Sequence, residues 1–447
     1  MADPAMSVTP YWELTFDADG DVQGRQRDRL LAEVPTSGVR DLVVFSHGWN
    51  NDEAAATSLY GHWFGLLAAQ VDPNRKIGYV GIRWPAQLWR DEPIPDFDPA
   101  PAADHQGAAA LAETAAVEAG SPTIDPAQLA DLKQMFPNGS EQLDTIAGLL
   151  AQPPAPGRAA ELFTAMREFS AAAGVKSNDG EAPEASKEPG MLDKQQDPDD
   201  IFTRFADRLA DAGVEFGDGG GEAGLGDFAS KLLHGAKEAL RQLTYWQMKN
   251  RAGVVGQKGV GPAIDRLADE FPSLRIHLIG HSFGARVVSF ALAGMRESAP
   301  SPVKSVTLLQ GAYSRFAFAP DLPFGGRGAL EGKLARIDGP LTVCFSSHDG
   351  ALGVFYPLAS AAAGDATAGV EDPLARFRAM GQLGAFNVES QMLGTVGTSY
   401  PFKAGEILNL DASDVVIAGD SPSGAHSDIF HPQLTWVVAA AGGLKTA

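Results

Sequence analysis

The chain has 447 residues, 44% of them hydrophobic and 20% charged, the balance of a globular protein with ample material for a large core. Its net charge of -21 argues against a nucleic-acid footprint, which needs a basic patch, and against attraction to anionic lipid. A single cysteine, Cys344, excludes an intrachain disulfide.

Cys344 falls in the apolar run "LTVCF" and reads as a small buried hydrophobe. The N-terminal "MADPAMSVTPYWELTF" lacks a basic segment followed by an apolar one, and no stretch approaches the roughly 18 apolar residues of a membrane span. A cytoplasmic location is the expectation.

Residues 1–95 carry three strand signals, "YWELTFD", "RDLVVFSHG" and "KIGYVGIRW". A hairpin turn is expected after the first. Its "DADGD" resembles the opening of a calcium loop, but Gly20 is out of place and no acidic twelfth ligand follows. Between the second and third runs Leu59, Trp63, Leu66 and Leu67 recur at helical spacing after Asn51-Asp52. Strand, helix, strand with a helical crossover predicts a parallel sheet.

Residues 96–245 change character, with 26 acidic against 11 basic side chains and no β-branched runs. Amphipathic helices are predicted at "PAQLADLKQMF", "RAAELFTAMREF", "IFTRFADRLADAG" and "FASKLLHGAKEALRQLTYW". The polar stretch 175–200 reads as a mobile linker, and "GDGGGEAGLGD" as a hinge. The whole is expected to be a helical insertion within one α/β domain. From 246 to 447 the α/β pattern resumes, with a helix at "GPAIDRLADEF" and strands at "RIHLIG", "VKSVTLLQG", "LTVCFSS" and "EILNLDAS".

The most informative stretch is "LRIHLIGHSFGAR". A G-x-S-x-G string means little alone in a chain with 50 glycines. Its context carries more: Ser282 stands directly after a strand and before the helix "GARVVSFALAGM". Such a nucleophile elbow needs Gly280 and Gly284, because strand and helix approach too closely for side chains. A serine nucleophile needs a base, oriented in turn by a third group. In this arrangement the acid and the base come later in the chain, in the order Ser, Asp or Glu, His.

Asp349 stands at the end of "LTVCFSS" and is the preferred acid, with Asp411 and Asp414 as competitors. His426, in the loop after the last strand, is the preferred base, and His431 is its rival. Oxyanion donors are expected from the N–H of Phe283 and, after "VVFSHG", from that of Trp49, where Gly48 permits close backbone approach.

"SHGW", "GHSFG", "HDGAL" and "AHSDIFHP", in this order, resemble the motifs of α/β-hydrolase-fold serine hydrolases, the lipase and esterase group. The resemblance spans about residues 8–95 and 246–440. It implies an α/β-hydrolase fold with a mostly parallel sheet. Residues 96–245 are expected to form a cap or lid, because the insertion leaves and rejoins the core near the carboxyl edge of the sheet. With no zinc spacing, P-loop or dinucleotide fingerprint, no cofactor or metal is implied. The resemblance implies a Ser282–Asp349–His426 triad acting on a small-molecule or lipid-like ester. Amide, thioester and phospholipid substrates fit the same residues, and a catalytically silent binding protein is the alternative of another class. The chain departs from the pattern in its long insertion and in the separation of 77 positions from Asp349 to His426, which implies extra helices at 350–400.

Overall fold

The computed structural model describes residues 6–445 except 50, 87, 88, 90–121, 154, 176–189, 212–224, 298, 299, 324, 353–378 and 420–423. Its framework is one open, all-parallel sheet of eight strands in the order β1-β3-β2-β4-β5-β6-β8-β7. The strands are β1 Tyr11–Thr15, β2 Asp41–Ser46, β3 Ile77–Arg83 and β4 Arg275–His281, then β5 Val303–Leu309, β6 Leu341–Phe345, β7 Ser390–Met392 and β8 Ile407–Asp411. Parallel strands are covered on both faces, which is why the central ones read as unbroken apolar runs. Along β2, Leu42 and Val44 face one core, while Val43 and Phe45 face the other.

Helices α1 (Gly24–Ser37) and α2 (Glu53–Ala68) flank the first half of the sheet. Leu59, Trp63 and Leu67 of α2 join the second core, together with Leu434 and Val437 of the last helix, α10 (Pro432–Ala441). Asp52 caps α2 by accepting from the Ala55 N–H. In the insertion stand α3 (Pro126–Met135), α4 (Ser140–Leu150), α5 (Arg158–Ala173), α6 (Pro198–Asp211) and α7 (Leu225–Val254). Their buried Leu132, Leu143, Phe163, Met166 and Phe202 belong to the first core, the one that includes Leu42, Val44 and Leu278 of the sheet. The insertion therefore shares a core with the sheet.

Several details differ from the sequence reading. The chain reverses at Asp17, whose Oδ1 accepts from the N–H groups of Asp19 and Asp21, and Phe16 bridges Val22 in antiparallel fashion. It then enters α1, so there is a turn but no second hairpin strand. The border drawn at 245/246 cuts through α7, which passes by a π-helical segment, Val255–Val260, into α8 (Gly261–Glu270).

Residues 176–189 of the expected linker, and most of the glycine-rich stretch after 211, lie outside the described residues. Met191 and Leu192, which were expected in that linker, are buried. Of the helices expected at 350–400, 353–378 lies outside the described residues. The rest of that stretch holds one helical turn, Met380–Leu383, and the edge strand β7. Among the described residues, no helix is long and apolar enough to cross a membrane.

The strand order sets the location of any site. From β2 the chain steps outward to β3, then returns across β2 to β4 and continues the other way. The carboxyl ends of β2 and β4 thus form the topological switch point, where open α/β sheets leave a crevice for ligands.

Candidate active site

Ser282 lies at that switch point, between β4 and helix α9 (Phe283–Gly294). Its φ of +55° is a left-handed value for a residue that is not glycine, a conformation that stores on the order of 1–3 kcal/mol and persists only when its surroundings impose it. They do so here: Ser282 N–H donates to the Leu309 carbonyl (3.1 Å), and the Ser282 carbonyl accepts from Ala285 and Ala312. A Cβ on Gly280 would lie 2.5 Å from Ala285 Cα, and one on Gly284 would overlap the Ser46 carbonyl oxygen. The two glycines let α9 fold back against the ends of β2 and β4.

Ser282, His426 and Asp349 form one hydrogen-bonded chain. His426 Nδ1 lies 2.8 Å from Asp349 Oδ2, and His426 Nε2 lies 2.9 Å from Ser282 Oγ. A carboxylate only accepts, so Nδ1 carries the proton, and the unprotonated Nε2 accepts from the serine hydroxyl. Asp349 is fully buried, and Ser282 and His426 are each 4% exposed. The separation of 77 positions is closed by a short tie: Asp349 bridges Gly424, and Ala425 N–H donates to the His348 carbonyl.

The competitors lie elsewhere. His431 precedes α10 and pairs with Asp428 at 2.7 Å. Asp411 accepts from Ser413, and Asp414 is exposed.

Gly48 faces the serine so closely that a Cβ there would stand 2.6 Å from Ser282 Cβ. The Gly48 carbonyl accepts from His47 Nδ1–H at 2.8 Å, and Asn51 Nδ2 donates to the Trp49 carbonyl at 3.0 Å. Because the peptide unit is planar and trans, holding the Gly48 carbonyl also fixes the direction of the Trp49 N–H. Neither that N–H nor that of Phe283 has an acceptor among the described residues. His47 is itself stacked on Trp84, whose indole N–H donates to the His47 carbonyl, and burial lowers the His47 pKa to about 4.

Further groups converge here that the sequence pattern scarcely marks. His281 is fully buried, its pKa is pushed down to about 3 by burial, and its Nε2–H donates to the His426 carbonyl at 2.9 Å. Gln310 at the end of β5 touches both Asp349 and the loop that carries His426. From α7, the Tyr245 ring packs against Phe283 (4.8 Å between centroids) and Trp49 (5.1 Å), so the insertion reaches the site. Only the polarity of Gln310 at the close of an apolar strand hinted at a special position. Cys344 is buried in the second core, and burial pushes its thiol pKa up to about 12.

Among the described residues, no group of three or more His, Cys, Asp or Glu side chains is arranged to hold a metal ion. Comparison of the chain with protein-family models, with curated proteins and with solved structures finds no match.

Proposed function

We propose that this chain is a serine hydrolase of the α/β-hydrolase fold that cleaves carboxylic esters through an acyl-enzyme on Ser282. The observation that carries this reading is the Asp349–His426–Ser282 hydrogen-bonded chain, set on a strained elbow at the switch point of the sheet.

In the first step Ser282 Oγ attacks the ester carbonyl as His426 Nε2 takes the hydroxyl proton. Asp349 holds the tautomer and stabilises the imidazolium. The tetrahedral oxyanion is received by the N–H groups of Phe283 and Trp49. Its collapse expels the alcohol, which leaves with the proton from His426. Water then attacks the acyl-serine by the same route in reverse.

The insertion serves as a cap in this reading, supported by the contact of Tyr245 with Phe283 and Trp49. Three aromatic rings beside the oxyanion position favour an apolar acyl or alkyl group on the substrate. Covalent labelling with a fluorophosphonate, together with turnover of p-nitrophenyl esters of graded chain length, tests the proposal. Wild-type protein should label and turn over, and Ser282→Ala should do neither while melting at a similar temperature. Equal labelling of the two would refute the assignment.

A further inference from the structure

The buried amide of Gln310 spans the two loops that bring acid and base together. Gln310 directly follows β5, where its N–H continues the ladder to the Cys344 carbonyl (2.9 Å). Its φ is +45°, a left-handed value that glutamine rarely adopts, and the side chain is almost completely buried. The segment at Gly381 presses on its backbone: Gly381 N–H donates to the Gly311 carbonyl, and a Cβ on Gly381 would stand 2.5 Å from Gln310 Cα. A glycine at 310 would meet this backbone demand without strain, so the retained side chain calls for another explanation.

That side chain makes two hydrogen bonds with one nitrogen. Gln310 Nε2 donates to the Ala425 carbonyl at 2.6 Å and to Asp349 Oδ2 at 3.3 Å. Both partners are acceptors only, which fixes the amide orientation. Asp349 Oδ2 is the oxygen that also accepts from His426 Nδ1–H, and Ala425 directly precedes His426. A single NH₂ group thus holds the carboxylate and the backbone of the base loop at one spacing, on a rigid strand end.

We infer that Gln310 is a positioning residue, which sets the Asp349–His426 geometry and thereby the competence of His426 as base; the inference rests on the hydrolase reading above. Among the described residues, the titratable groups facing this cluster are Asp349 and His426 themselves, His281, which donates to the His426 carbonyl, and Tyr245 from α7, at longer range from Asp349.

Two variants test it against a merely structural role. Gln310→Gly relieves the left-handed backbone and removes both donors. It should fold with undiminished thermal stability, yet lower kcat for a p-nitrophenyl ester by about ten- to a hundredfold with little change in KM. Gln310→Glu keeps the size but adds a proton-binding carboxyl beside Asp349. The cluster's proton affinity then rises, and the acid limb of kcat/KM should move to higher pH by about one unit. A residue that only fills space would change the melting temperature and leave kcat and the acid limb alone. Wild-type kcat in Gln310→Gly, or an unmoved acid limb in Gln310→Glu, would overturn the inference while the hydrolase reading stood. Wild-type protein that takes up no fluorophosphonate would instead refute the hydrolase reading, and this inference with it.

Discussion

Replacing Asp349 by asparagine probes the proposed mechanism with the smallest change of shape. Among the described residues three donors reach this buried carboxylate: His426 Nδ1–H at 2.8 Å and Gln310 Nε2–H at 3.3 Å on Oδ2, and Leu352 N–H at 3.0 Å on Oδ1. An amide offers one acceptor atom where the carboxylate offers two, so one side must give way. If the amide oxygen faces His426, the NH₂ group abuts the Leu352 N–H. That backbone donor cannot adjust and is left buried and unpaired, at a cost of about 1–3 kcal/mol.

If instead the NH₂ faces His426, the imidazole can shift its proton from Nδ1 to Nε2 and keep a hydrogen bond. Only the long Gln310 contact is lost. The second arrangement costs less and should prevail. Its Nε2 then carries a proton, faces Ser282 Oγ as a donor, and cannot accept the serine proton.

The expected result is a fall in kcat of about 10⁴-fold, the scale found when a triad acid is neutralised and the wrong tautomer trapped. The melting temperature should change little. Steady-state hydrolysis of a p-nitrophenyl ester, with thermal melts of the same samples, measures both. A kcat within about tenfold of wild type would mean that the favoured tautomer is not decisive, and the reasoning from Asp349 would fail.

The remaining expectations concern the two histidines near the C-terminus and the buried neutral ones. His426→Ala should lower kcat by at least about 10³-fold. His431→Ala, which removes the contact to Asp428, should leave kcat intact and cost about 1 kcal/mol of stability; reversed effects in kinetics and melts would show that the base is misassigned. His47 and His281 are held neutral by burial, with pKa values lowered from 6.5 to about 4 and about 3. The unfolded chain therefore binds more protons than the folded one below pH 6.5. Stability should be steady above that pH and fall as the pH drops from 6.5 toward 3, by up to about 1.4 kcal/mol per pH unit for each histidine. Urea unfolding midpoints that do not move between pH 7 and pH 4.5 would contradict this.

How much of this could be read from the sequence depends on whether the deciding forces are local. Central strands such as β2 were legible because both of their faces are covered, which writes "DLVVFS" as an apolar run. The elbow was legible because its steric demand lies within five residues, Gly280 to Gly284. Helix α1 escaped notice: it buries only Leu30 and Val34 and carries Pro35, too little periodicity to register. Edge strand β7 is three mostly exposed residues and leaves no pattern at all.

The continuity of the helix across residue 245 was hidden for a different reason. Glycines 253, 256, 259 and 261 argue against a helix, yet the chain stays helical through them. A Cβ on Gly256 would stand 3.0 Å from Ala291 N, and one on Gly261 would stand 2.8 Å from the Gly294 carbonyl carbon. Gly256 and Gly261 let this helix lie against α9, the elbow helix, while Gly259 lies against Gly20 and Phe16, and tertiary packing overrides propensity.

The candidate site divides along the same line. Ser282, Asp349 and His426 each mark the end of a strand or the loop after it, so strand order alone narrows the choice. Gln310, His281 and Tyr245 matter only through partners 39 to 145 positions away or on another element, where periodicity carries no information. Gln310 is the sharpest case. Its left-handed backbone invites glycine, and its chain neighbours give no reason for an amide. The side chain makes sense only once β5, the Asp349 loop and the His426 loop have come together. Residues that position a site are therefore better sought where local preference is violated than where it is obeyed.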